Sequence, residues 1–370
     1  MLQNFKIDKK LLKDLDWIII LTAVVIMLFS CINIYSATYS TGGDNAKLQF
    51  LWLLVGLAVT YVILLFDYNY IGNFAYIIYG MSIVMLIVNK VLGAETNGAN
   101  AWIMIGNRAI QPAEFAKIAI IILLARKLND MEGEINNPKN FFIILFLTII
   151  PTGLIVIQPD MGMTMVIFFT ALGIVFIAGL DIKVILGGLG SILAAIIIIW
   201  NSGLIKDYQQ KRITALLDPT TDLLGSGYQL WQSLIGIGSG GILGKGFLKG
   251  TQISGGFIPE AHTDFISAVV GEEWGLVGYA FLFTLYAILI YRCIKVSKNS
   301  KDIFGNIMVI GFTSGWVFSI LQNAGMCVGI MPITGITLPF MSYGGSSTLT
   351  NFISLGLILN VGMRRKKLNF

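Results

Sequence analysis

Ten apolar stretches run through this chain, at 17–35, 48–66, 71–89, 112–125, 141–157, 161–180, 184–200, 265–291, 304–322 and 346–363. A helix needs about 20 mostly apolar residues to cross a bilayer, where lipid offers the backbone no hydrogen-bond partner. Most of the stretches reach that length, so the pattern predicts an all-α, polytopic integral membrane protein of about ten transmembrane helices. Composition agrees, because 56% of the 370 residues are hydrophobic and only 12% are charged, too little polar surface to cover a soluble core. A soluble enzyme, a disordered chain and a disulfide scaffold are thereby excluded. Cys31, Cys293 and Cys327 lie in or beside apolar runs without metal-ligand spacing, and a single histidine, His262, argues against a histidine-built metal centre. Lys6, Lys9, Lys10 and Lys13 precede the first stretch, but its apolar run is too long for a signal peptide, so it reads as an uncleaved helix.

Ten spans put both termini on one side. Arg126, Lys127, Lys139, Lys183, Arg292, Lys295, Lys298, Lys301, Arg364, Arg365, Lys366 and Lys367 share that side with the N-terminal lysines, and the positive-inside rule makes it cytoplasmic. The short loops opposite hold only Lys47, Lys90 and Arg108. The net charge of +5 is therefore topological, and nucleic acid is not an expected partner. No internal repeat divides the chain into matching halves. Residues 1–370 read as one membrane domain, with a large extracytoplasmic loop at 201–264 between spans seven and eight and a cleft-lining or re-entrant outer segment at 325–346.

Charges within or at the rim of a bilayer are costly, so each needs a partner or a task. Glu114 and Lys117 stand one helical turn apart in the fourth span and can pair on one face. Gln111-Pro112-Ala113-Glu114 also fits a helix start, with Pro first and an acid in the first turn. Gln158-Pro159-Asp160 repeats that pattern, and Asp160 reads best as a helix cap. The run from Gly236 to Gly246 contains a G-x-G-x-x-G match but lacks the surrounding βαβ unit, and it fails as a P-loop at Ser239 and Gly246. Two readings stay open for it: a flexible linker after an interfacial helix carrying Leu230, Trp231, Leu234 and Ile235, or a backbone cradle for phosphate or sugar beside Lys245 and Lys249. Glu260, His262, Thr263 and Asp264 crowd the start of span eight, where Asp264 is either that helix's cap or a general base tuned by its surroundings. The stretch 332–347, containing Ser342, Tyr343, Gly344 and Gly345, has too many Pro and Gly for a spanning helix, and non-helical backbone at membrane depth survives where it is buried or lines a cavity.

In order along the chain, several motifs resemble the SEDS family (shape, elongation, division and sporulation) of RodA and FtsW. They are Gly98-Ala99-Asn100-Ala101-Trp102-Ile103, Gln111-Pro112-Ala113-Glu114 with Lys117, Gln158-Pro159-Asp160, Leu217-Asp218-Pro219, and Gly225-Ser226-Gly227-Tyr228-Gln229. Further on come Pro259-Glu260, His262-Thr263-Asp264-Phe265, Gly271-Glu272-Glu273 and Ser342-Tyr343-Gly344-Gly345-Ser346-Ser347. Ala101 and Ala113 depart from the residues usual in the family, Arg and Ser. The resemblance implies a peptidoglycan glycosyltransferase that polymerises lipid II at the outer face of the bacterial plasma membrane, beside a class B penicillin-binding protein that crosslinks the glycan. It implies Asp264 as the catalytic residue. Lys117, Arg212, Lys245 or a bound divalent cation, Mg or Mn, are candidates to stabilise the departing undecaprenyl pyrophosphate. Glu114 would hold Lys117 or share that metal, and Trp102 would stack on a sugar or anchor at the interface. The alternative is a lipid II flippase, which needs polar groups at mid-depth and on the cytoplasmic side, whereas here they crowd the outer rim.

Overall fold

The computed structural model describes residues 9–96, 99–106, 108–201, 210, 214, 216 and 225–365. Arg212 and the Leu217-Asp218-Pro219 motif lie outside the described residues, as do Gly98, Lys6, Lys366 and Lys367. The helices are α1 (Lys9–Lys13), α2 (Trp17–Ala37), α3 (Asp44–Leu65), α4 (Tyr68–Asn73), α5 (Ala75–Leu92), α6 (Pro112–Asp130), α7 (Pro138–Ile157), α8 (Met161–Ile177) and α9 (Ile182–Asn201). After them come α10 (Ser226–Gly240), α11 (Thr251–Ser254), α12 (Ile266–Lys298), α13 (Ile303–Cys327) and α14 (Gly345–Met363). Ten of these fall on the ten apolar stretches. Six, α2, α3, α5, α7, α12 and α13, are long and apolar enough to cross a membrane, and α8 and most of α9 form shorter apolar helices.

The remaining two, α6 and α14, are the least exposed. Every residue of α14 except Gly345, Leu349 and Ile353 is buried, and in α6 only Phe115 and the last charged turn escape. Helices shielded from lipid by their neighbours can carry Glu114, Lys117, Thr350 and Asn351, because those groups meet protein rather than hydrocarbon. The outer helices α3, α5, α7 and α9 instead present a belt of exposed apolar side chains, among them Leu54, Ile77, Phe146 and Ile196. A belt of that size fits immersion in lipid.

The two ends of the bundle differ. One carries ion pairs: Arg292 of α12 to Asp16 at 2.6 Å, and Arg364 and Lys301 to Asp67 at 3.3 and 3.9 Å. The other gathers the N-termini of α6, α8, α12 and α14 and the irregular connections between them. One of those connections departs from the all-helical expectation. Ala94–Thr96, Ala99–Ile105 and Arg108–Ile110 pair as a small antiparallel sheet, β1-β2-β3, with Ala94 opposite Trp102 and Ile103 opposite Ile110. Gly106, at φ +60, supplies the turn residue that a side chain would strain. Too short to cross the bilayer, the segment satisfies its backbone locally.

Candidate active site at one end of the bundle

Between α13 and α14, residues 328–344 form neither helix nor strand, yet Ile333, Ile336, Leu338, Phe340, Met341 and Ser342 are buried. Buried backbone without a ladder must be satisfied by other groups. Side chains from four helices do so. Gln322 and Asn323 of α13 donate to the carbonyls of Pro332 and Ile336 at 2.8 Å each, and Tyr286 of α12 donates to that of Pro339 at 2.6 Å. Ser30 of α2 donates to the Met341 carbonyl at 2.5 Å, and Gln49 of α3 to that of Ser342 at 3.2 Å. The Ser342 hydroxyl accepts from the Leu338 amide at 2.8 Å, so this candidate residue holds the turn rather than reaching outward. Phe340 takes a left-handed φ of +61 and is wedged edge-on between Trp316 and Phe352. Backbone strain of that kind persists where the surroundings over-determine it.

This segment walls a small, narrow cavity whose lining includes Gln111, Glu114, Lys117, Asp160, Gly335, Thr337, Ser347 and Asn351. Pro112 begins α6 and Glu114 sits in its first turn, as the helix-start reading expects. The pairing reading holds as well, for Lys117 Nζ lies 2.7 Å from Glu114 Oε2 and both side chains are almost wholly buried. Thr350 of α14 donates to the same carboxylate oxygen at 2.9 Å. Asp160 caps α8 by accepting from the Met163 amide at 2.9 Å, and its other oxygen accepts from Gln111 Nε2 at 3.0 Å. The two Gln-Pro motifs thus meet in space.

Asp264 stands beside that wall. Gly335 takes φ +70, and a β-carbon there would come within 3.2 Å of Asp264 Oδ2, so the carboxylate abuts a residue of the cavity lining. The helix-cap reading of Asp264 is not met: α12 begins at Ile266 and its N-cap residue is Phe265, which has no side-chain acceptor. The Asp264 carbonyl accepts from Asn323 Nδ2 at 2.7 Å, which ties the start of α12 to the same asparagine that holds Ile336. Thr263 donates to Glu260 Oε2 at 2.8 Å, and the His262 carbonyl accepts from the Tyr343 amide at 2.9 Å. The His262 and Tyr343 rings lie 5.7 Å apart. Burial holds His262 below its ordinary value of 6.5, against the pull of Glu260 in the other direction. Gly344 forms the N-cap of α14, and Gly345 packs its backbone on Trp52.

Two candidates sit elsewhere. Trp102 lies half-buried on β2 and is not part of the cavity lining. Lys245 is held by Glu272, Nζ to Oε1 at 2.8 Å, and by Thr251 at 2.7 Å. The glycine-rich stretch is neither linker nor cradle. Gly227, Leu230, Ser233, Gly236 and Gly240 form the buried face of α10, and the amides of Lys245 and Gly246 donate to the Glu272 and Glu273 carbonyls at 3.0 Å each. Residues that motif reading passed over include Thr350, Asn351, Asn323 and Gln49. Their signal was a polar residue inside an apolar span. Among the described residues, no group of three or more His, Cys, Asp or Glu is arranged to hold a metal ion.

The fold and this site define a polytopic membrane protein with a charged, largely enclosed cleft at one end of its bundle. Residues 13–367 match the cell cycle protein family of FtsW, RodA and SpoVE, and the chain belongs to that family. It is 35% identical over 357 residues to the peptidoglycan glycosyltransferase MrdB of Escherichia coli strain K12, covering 96% of this chain and 95% of that protein. Stage V sporulation protein E of Bacillus subtilis strain 168 is 31% identical over 360 residues, covering 94% and 96%. Among solved structures, one described as "Structural coordination of polymerization and crosslinking by a peptidoglycan synthase complex" superposes with a TM-score of 0.81 at 32% identity, covering 94% of this chain and 97% of that one. The rod shape determining protein RodA of Thermus thermophilus gives a TM-score of 0.72 at 28% identity, covering 95% and 98%.

Proposed function

We propose that this protein is a peptidoglycan glycosyltransferase that polymerises glycan strands from lipid II at the outer face of the plasma membrane, with both termini in the cytoplasm. The basic residues collect at the end of the bundle opposite the cleft, which supports that orientation. Outside the membrane there is no nucleotide to drive synthesis, so the donor arrives activated as a lipid-linked pyrophosphate. One observation carries the reading: a buried Glu114–Lys117 pair lines a cavity whose wall, at Gly335, faces the Asp264 carboxylate. Intramembrane charges so placed mark a functional site.

Asp264 acts as general base. It takes the proton from the acceptor GlcNAc 4-hydroxyl while that oxygen forms the new bond to the donor MurNAc anomeric carbon and the bond to the pyrophosphate oxygen breaks. An α-linked donor giving a β-linkage requires inversion, hence a single displacement without a covalent sugar intermediate. Lys117 supplies positive charge to the departing undecaprenyl pyrophosphate. Glu114 and Asp160 are the two carboxylates on the cavity wall. They would be the groups to hold a divalent cation, Mg or Mn, of the kind that takes one or two protein carboxylates and completes its shell with substrate phosphates and water. Such an ion would add charge stabilisation at the leaving group. A class B penicillin-binding protein is the proposed partner, in keeping with the likeness to the peptidoglycan synthase complex.

The test is labelled lipid II supplied to the purified protein with that partner. Glycan strands should form, and Asp264→Asn should lower the rate about 10²–10⁴-fold, the usual worth of a general base, while leaving expression and thermal stability unchanged. An Asp264→Asn protein that polymerises at the wild-type rate would remove the base assignment. Flipping of lipid II without polymerisation would favour the transporter.

A further inference from the structure

Helix α12 is two helices. Gly275, at φ +62 and ψ −155, breaks it, and the first half, residues 266–274, carries Asp264 just ahead of its start. That half is about two and a half turns long, too short to hold its own shape or place without tertiary support. Its support at the broken end comes from residues 241–253. The amides of Lys245 and Gly246 donate to the Glu272 and Glu273 carbonyls freed by the break, and the Leu276 and Val277 amides donate to the carbonyls of Gly241 and Ile242 at 3.0 and 3.1 Å. Gly240 and Gly244 make room, for a β-carbon at either would collide with the backbone of Gly271 or Glu273.

The Glu272 side chain, fully buried, adds a second set of bonds to these backbone ones. Its Oε1 accepts from Lys245 Nζ at 2.8 Å, the Gln252 amide at 3.0 Å and Thr251 Oγ1 at 3.2 Å, and its Oε2 accepts from the Ile253 amide at 3.2 Å. One carboxylate therefore binds both ends of the strap, the Lys245 turn and the start of α11. Lys245 compensates its charge, and a buried carboxylate left without that cation would be strongly unfavourable. Two helical turns separate Glu272 from Asp264 along a rigid element, so a shift at the latch moves the carboxylate at the other end.

We propose that Glu272 and Lys245 form a latch that fixes the half-helix 266–274 and so positions Asp264 against the Gly335 wall. They are positioning residues and touch no reacting atom. The inference rests on the assignment of Asp264 as base. Misplacing a reacting group by about 1 Å costs on the order of 100-fold.

The experiment measures kcat and KM for fluorescent lipid II with the full-length protein co-purified with its class B penicillin-binding protein. Glu272→Gln and Lys245→Met should each lower kcat about 100-fold with KM changed less than about twofold, the pattern of lost transition-state alignment. The double variant should be no worse than either single one, and Lys245→Arg should restore kcat. Additive losses, or a raised KM for Lys245→Met that Glu272→Gln does not share, would overturn the latch and make Lys245 a substrate contact. A fall in unfolding temperature that tracks the fall in kcat across all variants would overturn it in favour of a fold defect. Should Glu272→Gln fail to fold, Lys245→Met with its Arg rescue decides alone, because the Lys245 side chain is one-quarter exposed. Absence of polymerisation by the wild-type protein would count against the functional reading, whereas an active wild type with unimpaired Lys245→Met would count against the latch only.

Discussion

An ammonium and a carboxylate 2.7 Å apart, each almost wholly buried, stabilise a fold only while both remain. Removing one partner strands the other and typically costs about 3–5 kcal/mol, whereas replacing both by apolar or neutral groups of like size is often neutral. Glu114→Gln and Lys117→Met should therefore each lower the unfolding temperature, and the double variant should regain it. If the pair works on the substrate, the double variant stays inactive in glycan polymerisation, and that is the expected outcome. Full activity in the refolded double variant would reduce the pair to a structural role. The pair was legible because an i, i+3 spacing brings side chains together whatever the tertiary fold. Thr350, which donates to the same carboxylate, was not, since it lies 236 residues away and only packing brings it there. Asp160 was legible as a cap for the same local reason. Asp264 shows the limit of such reasoning: Thr and Asp suit a helix start, but α12 begins at Ile266 and leaves Asp264 outside its cap.

At the scale of elements, the wall of the cleft is a backbone segment held by side chains from other helices. Its irregular course was legible from its Pro and Gly content. The groups that satisfy it were not, because Ser30, Gln49, Tyr286, Gln322 and Asn323 are single polar residues in apolar spans with no spacing that names a partner. Asn323 is the most consequential of them, donating to the carbonyls of both Asp264 and Ile336. Asn323→Leu keeps the volume and removes both hydrogen bonds, at about 0.5–1.5 kcal/mol each. Thermal unfolding should show a marked drop, and polymerisation should fall further than stability because Asp264, the proposed base, and its wall are released together. A variant with unchanged activity would mean that Gln322, Tyr286, Ser30, Gln49 and the packing of Phe340 keep the wall in place without it. The glycine-rich stretch was misread for a related reason. Glycines announce close backbone approach, and the sequence does not say whether the approaching partner is a ligand or, as here, a broken helix.

At the scale of the whole molecule, apolar content sorts the helices by what surrounds them. Lipid-facing α3 and α7 combine high mean hydropathy with little burial within the bundle, while α6 and α14 carry polar residues because neighbours screen them. A scan for spans therefore passes over α6 and α14. The same sorting separates charge: ion pairs and clustered Lys and Arg at one end, the cleft at the other. Orientation in the membrane then decides which substrate the cleft can meet, since lipid II awaiting polymerisation is presented on the outer leaflet. Introduced cysteines report this directly. Ser254, exposed beside the latch, and Asn299, exposed at the end of α12, lie at opposite ends of the bundle. Native thiols add little background, because Cys293 and Cys327 are buried and Cys31 is half-buried on an apolar span. A membrane-impermeant maleimide applied to intact cells should label the Ser254→Cys variant and spare Asn299→Cys until the membrane is opened. The reverse pattern would put the cleft in the cytoplasm, where its basic end could no longer obey the positive-inside rule, and would take lipid II on the outer leaflet out of its reach.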